Sequence, residues 1–135
     1  MEPVIMVTDN TGQSRSLSID WTLCVQRVAG NQILANDFLL HFVNELHVHR
    51  KDFLDQWQRN DLQALERNAH KLHGAACFCG VPELQKNVAS LERLARNAES
   101  TDVLHEHFTR LMTSIENVIH DYAAHIQSKT GISQC

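Results

Sequence analysis

An all-α fold, an antiparallel up-down four-helix bundle with an additional short N-terminal helix, follows from three features of this 135-residue sequence. Glycine and proline are scarce, at 5 and 2 residues, and the prolines fall at positions 3 and 82. Nothing between them forces a helix to break. Aromatic residues make up only 6%, a thin supply for a sheet protein. Apolar residues instead recur at steps of three and four along several long stretches.

Residues 1–18 turn from apolar to polar and read as a linker or N-terminal arm, with Val4-Ile5-Met6-Val7 offering a short strand or a packed arm. Asp20 is a good N-cap for a first short helix, and Gly30 suits its C-terminal end. Asn31 can cap a second helix running from Gln32 to about Trp57, with Leu39, Phe42, Leu46, Phe53 and Trp57 on one face. Phe38 and Val43 widen that stripe, and the polar run from His47 to Asp52 is a place for a kink. A third helix begins at Asn60 or Asp61, with Leu62, Leu65, Ala69, Leu72, Ala76 and Cys79 forming a seam. Gly80 ends it. Pro82 then fits the first turn of a fourth helix carrying Leu84, Val88, Leu91, Ala95 and Ala98. So tight a turn makes these two helices antiparallel neighbours. Ser100 or Thr101 caps a last helix with Leu104, Phe108, Leu111, Ile115, Val118 and Tyr122 inward, and residues 128–135 form a polar tail. The bundle domain is therefore expected over 19–127.

The formal charge is −4 with no basic stripe, which argues against nucleic acid as a partner. No apolar run approaches the roughly 18 residues that a membrane span requires. The first residues lack a basic region followed by an apolar core, and a cytoplasmic location is expected. The cysteines at 24, 77, 79 and 135 are badly spaced for a disulfide framework and read as reduced thiols.

Two positions in the third helix break the pattern. Gly74 sits mid-helix, where glycine costs about 1 kcal/mol relative to alanine. It either opens space beside His70, one turn before it, or lets two helices of the bundle approach closely. His70 and His73 share a row with Glu66 and Cys77, spaced 4, 3 and 4 apart, flanking the apolar seam. A neutral imidazole on a half-exposed, rigid helix flank can act as a nucleophile and carry a labile group. Lys71 and a protonated His73 would attract phosphoryl oxygens. The alternative is a solvated polar face, since the chain holds 9 histidines.

The run Asn68-Ala69-His70-Lys71-Leu72-His73-Gly74-Ala75-Ala76-Cys77-Phe78-Cys79-Gly80, continued by Val81-Pro82-Glu83-Leu84, resembles the phosphohistidine motif of histidine phosphotransfer (HPt) domains. Ile19-Asp20-Trp21, Gly30-Asn31 and Phe38-Leu39 resemble that family's opening helix and turn, so the similarity spans roughly 19 to 125. The form His-Lys-Leu-His-Gly with Gly-Val-Pro is most similar to the C-terminal HPt domains of BarA/GacS-type hybrid sensor kinases.

The resemblance implies a phosphorelay intermediate of two-component signalling without kinase activity of its own. His70 would be the phosphoacceptor, Lys71 and His73 its polar flanks, and Gly74 the gap admitting a receiver domain. Partners would be the receiver domains of a hybrid sensor kinase and of a response regulator, docking on the face of the third and fourth helices. Ala75, Phe78 and Gln85 are the candidate docking residues. No cofactor is expected on this chain; Mg²⁺ would come with the receiver. A small, transient interface and a monomer are expected. Two departures stand out. Cys77 replaces a small residue, and Glu92 falls where some members place a glutamine against the active imidazole. A glutamate there would favour the protonated ring and lower its nucleophilicity at rest.

Two other classes compete. His70, His73 and Cys77 form a His-x-x-His-x-x-x-Cys row, so a metal-binding bundle is one, although no second helix offers a matching pair. A bundle that only binds protein is the other. The remaining histidines, at 41, 47, 49, 105, 107, 120 and 125, read as surface or core-rim residues.

Overall fold

The computed structural model describes residues 6–8 and 14–130. The arm carries two short strands, β1 (Met6–Thr8) and β2 (Ser14–Ser16), paired antiparallel with Met6 opposite Ser16. Five helices follow: α1 (Trp21–Gln26), α2 (Gln32–Gln58), α3 (Leu62–Ala76), α4 (Pro82–Arg96) and α5 (Thr101–Thr130). The residues expected as a polar tail include the end of α5, and 131–135 lie outside the described residues.

Local chemistry sets the helix starts. Side-chain oxygens of Asp20, Asn31 and Asp61 accept from the backbone N–H groups of Leu23, Leu34 and Ala64 at 3.1, 3.0 and 3.1 Å, so each capping expectation holds. Ser100 does the same for Val103 at 3.4 Å. Val81 offers no side-chain cap, and Pro82 takes the first turn of α4, where a missing N–H costs nothing. The polar run 47–52 leaves α2 one continuous helix.

Ala98 departs from its expected place on the inner face of α4. The helix ends before it, at Asn97, and Ala98 adopts φ 51° in an exposed turn closed by the Glu99 N–H on the Leu94 carbonyl at 3.1 Å. Asn60 plays the same left-handed role at the end of α2, with the Asp61 N–H on the Gln56 carbonyl at 3.0 Å. Alanine carries no turn signal, which is why periodicity overran the helix end.

The four long helices pack in a ring, α3 between α2 and α4, and α5 closing between α4 and α2. Their inner faces interleave Leu39, Leu46 and Phe53 of α2, Leu65 and Leu72 of α3, Leu84 and Leu91 of α4, and Leu111 and Ile115 of α5, all essentially inaccessible. Burying such side chains contributes about 1.5–3 kcal/mol each before entropy is counted. Near the α2–α3 turn Trp57 stacks on Phe108 with ring centroids 4.6 Å apart. Leu62, expected in the seam, is at the mouth of the bundle and exposed.

α1 lies across the turn between α3 and α4. The Asp20 N–H donates to the Gly80 carbonyl at 2.8 Å, and the Gly80 N–H lies 3.2 Å from the Cys24 sulfur. A Cβ on Gly80 would collide with the Asp20 carbonyl oxygen and reach within 2.8 Å of the Cys24 nitrogen. Gly80 is therefore required by close approach of backbones. Arg27, at the end of α1, donates through one guanidinium nitrogen to the carbonyls of Ala76 (3.2 Å) and Cys79 and to Oε1 of Gln85 (3.2 Å). The two carbonyls lie at the end of α3 and in the turn that follows it, where the helical ladder no longer satisfies every acceptor.

Candidate functional site

The row Glu66, His70, His73 and Cys77 stands on the flank of α3 that faces α4, because the steps of four and three keep it one residue round from the buried seam of Leu65, Ala69, Leu72 and Ala76. Its middle members meet Glu92. Nδ1 of His70 lies 2.7 Å from Oε2 of Glu92, and Nδ1 of His73 lies 2.9 Å from Oε1. The His70 side chain is 75% exposed and that of His73 35%, whereas the Glu92 side chain is only 8% exposed. A nearly buried carboxylate thus holds an almost free imidazole from behind.

Arg96, one turn along α4, completes the cluster. Its terminal nitrogen reaches Oε2 of Glu92 at 2.8 Å and its Nε reaches Oε2 of Glu66 at 3.1 Å. Burial alone pushes the Glu92 carboxyl up. The hydrogen bonds from His70 and His73, and the charge on those rings, outweigh it and hold the carboxyl below its ordinary value. An ionised carboxylate has only acceptors to offer, so Nδ1 of each imidazole is the donor. With Nδ1 held as donor, Nε2 of His70 lies on the opposite, outward edge of the ring, and carries a lone pair whenever the ring is neutral.

Gly74 resolves in favour of open space. A Cβ placed on it meets no atom within 4 Å, so no helix of the bundle needs the glycine for packing. Its side of α3, one turn beyond His70, is bare to solvent.

The expected site residues divide between two sides of α3. His73 lies toward α4, where it meets Glu92 of that helix. Lys71, Ala75 and Phe78 lie toward α2, where they line an open, mostly apolar groove with Phe38, Phe42 and Cys79. The residues expected to dock a partner therefore share a groove with α2, a helix that the sequence reading left out of the face. Phe78 is 62% exposed and Phe38 39%, both unusual for phenylalanine on a soluble bundle. Gln85 is engaged at the α3–α4 turn, accepting from Arg27 and placing its Nε2 3.7 Å from the Cys77 sulfur.

Sequence reasoning missed two partners. Arg96 carried a signal, its i, i+4 spacing from Glu92. Asn68 carried none. It is buried, its Oδ1 accepts from Nδ1 of His49 at 2.6 Å, and its Nδ2 donates to the His49 carbonyl and to Gln56, each at 3.3 Å. This braces α3 against α2 two residues before His70.

Cys24 and Cys79 are buried free thiols and Cys77 is an exposed one. Among the described residues no three His, Cys, Asp or Glu side chains converge as a metal site, and nothing favours the His70/His73/Cys77 alternative. No described helix is long and apolar enough to cross a membrane.

With bundle and site in view, the chain belongs to the Hpt domain family, whose model matches residues 37–123. Among its relatives is the signal transduction histidine-protein kinase BarA of Escherichia coli (strain K12), 27% identical over 101 residues, which cover 75% of this chain and 11% of that protein. Sensor protein GacS of Pseudomonas syringae pv. syringae is 32% identical over 87 residues, covering 64% of this chain and 10% of the relative. The chain spans about a tenth of the length of these curated relatives. Among solved structures, the HPT domain of a Shewanella sensor hybrid histidine kinase superposes with a TM-score of 0.75 at 22% identity, covering 83% of this chain and 95% of that one. That likeness establishes the fold.

Proposed function

We propose that this domain is a phosphorelay intermediate that accepts a phosphoryl group on His70 from a receiver-domain aspartate and passes it to another. The carrying observation is the pairing of an exposed ring with a buried acceptor. Glu92 holds Nδ1 of His70 and turns the Nε2 edge outward. In the accepting step the Nε2 lone pair forms the N–P bond while the P–O bond to the aspartate breaks. The aspartate leaves as carboxylate with that electron pair, and the Nδ1 proton stays on its hydrogen bond to Glu92. Transfer onward reverses these events, and a ring that keeps its Nδ1 proton departs as neutral imidazole.

In this reading the domain is a phosphocarrier rather than a kinase. Mg²⁺ belongs to the partner's aspartate pocket in this reading, and no residue here is assigned to it. The receiver docks across His70, with Gly74 leaving room for its backbone. Phe78, Ala75 and Phe38 of the apolar groove supply contact area, and Lys71 stands at the groove's edge beside His70. Such an interface is small and releasable. A monomer at the cytoplasmic end of a sensor kinase fits this role.

The test is phosphoryl transfer from a labelled receiver in Mg²⁺. Acid-labile, base-stable label should appear on the protein and vanish in His70→Gln. Label that persists in His70→Gln would overturn the assignment. With ATP alone the chain should stay unlabelled.

A further inference from the structure

The two oxygens of Glu92 are not equivalent. Oε1 serves His73 alone, at 2.9 Å. Oε2 serves His70 at 2.7 Å and also the Arg96 guanidinium at 2.8 Å. Arg96 is shared in turn with Glu66 at 3.1 Å. Two carboxylates and one guanidinium leave a single negative charge to be balanced, and two imidazoles are placed to balance it.

We propose that Arg96 is a positioning residue for phosphoryl transfer: by pairing with the carboxylate oxygen that holds Nδ1 of His70, it fixes that carboxylate behind the ring and weakens its pull on a second cation there. This rests on His70 being the phosphoacceptor. The argument is electrostatic. A carboxylate oxygen already paired with a guanidinium draws a second cation weakly, and two cations on one oxygen repel each other. Oε1, which holds His73, carries no such competitor. The charged groups tied into the cluster are Glu66 on α3 and Glu92 and Arg96 on α4, while Arg67 and Lys71 of α3 lie on the side toward α2. Across the Lys71 side, α2 contributes Glu45 and His49.

The arrangement divides labour between two rings one turn apart. One attacks. The other is held beside it, and both draw on one nearly buried carboxylate. It also answers the concern raised by a glutamate beside the active imidazole, because Arg96 removes much of that carboxylate's pull on His70.

The test is an imidazole ¹⁵N titration of the full chain as wild type, Arg96→Ala and Arg96→Lys, followed by the pH dependence of phosphoryl uptake. Arg96 is 56% exposed, so its replacement leaves the core intact. In Arg96→Ala the His70 midpoint should rise by about one pH unit, and the acid limb of the uptake profile should move with it. Arg96→Lys should recover at least half of that shift. An unmoved His70 midpoint would overturn the proposal, as would a loss of uptake equal at every pH. The titration needs no receiver, so its outcome is independent of whether the wild type takes up label.

Discussion

His70 and His73 share one carboxylate, each with its own oxygen of Glu92, at 2.7 and 2.9 Å. The ring that would react is the more exposed of the two, and the residue that aims it is nearly buried. The placement follows from helix geometry, since i and i+3 on α3 straddle one position of α4.

Glu92 should matter for both rate and stability. Glu92→Gln keeps an acceptor for Nδ1 and should lower phosphoryl uptake only several-fold, whereas Glu92→Leu, which frees the ring, should lower it roughly 10- to 100-fold, the range that orienting contacts carry at other sites. The lowered Glu92 carboxyl also contributes stability that is complete above its ordinary value of 4.5 and is lost as pH falls through the lowered value. The stability advantage of wild type over Glu92→Gln should shrink as pH falls below about 5, measured by denaturant unfolding at several pH values.

The two glycines should respond oppositely. Gly74→Ala meets no atom and gains helix propensity, so it should stabilise by up to about 1 kcal/mol. Gly74→Leu should fold equally well yet bind receiver weakly. Gly80→Ala drives a methyl into the backbone of α1 and should destabilise by about 1–3 kcal/mol. Thermal unfolding with a receiver-binding titration separates these effects. A Gly74→Leu variant that binds normally would remove Gly74 from the docking face.

Phe78 should contribute to binding rather than to folding. It is 62% exposed, so Phe78→Ala should leave the unfolding midpoint nearly unchanged. Receiver affinity should fall by about 1 kcal/mol or more, as for an aromatic anchor. Calorimetric titration with the receiver measures this directly.

The thiols should sort by burial. Desolvation pushes the Cys79 thiol up to about 12, and the Cys24 thiol is also raised by burial. In a Cys135→Ser background at pH 8, an alkylating reagent should modify Cys77 quickly and the other two only on unfolding. Mass spectrometry of the native protein reads the sites.

Much of the architecture was legible because local signals agreed with one another. Asp20, Asn31 and Asp61 start helices as cap chemistry requires, and Pro82 restarts the chain after the turn. The flank of His70 and His73 was legible as a row on one helix. Its partner across the groove rested on a count along the family motif, because register between helices is set by packing that a single sequence does not display. For the same reason Lys71, Ala75 and Phe78 were assigned to α4's side although the helix turns them toward α2. Arg96 and Asn68 act through contacts with other side chains; the i, i+4 spacing of Arg96 from Glu92 hinted at one, whereas nothing in the spacing of Asn68 announced its bonds to His49 and Gln56.

Arg27 carries a practical consequence. The stretch that matches the Hpt family model begins at residue 37, after α1 has ended. A fragment cut at that boundary would lose the side chain that ties together Ala76, Cys79 and Gln85. It would also lose the strut filling the notch above Gly80. The shortest unit able to keep the hairpin beneath His70 in register therefore starts no later than Ser18, whose backbone N–H and hydroxyl both fasten to Asp121 near the far end of α5, at 2.9 and 2.6 Å.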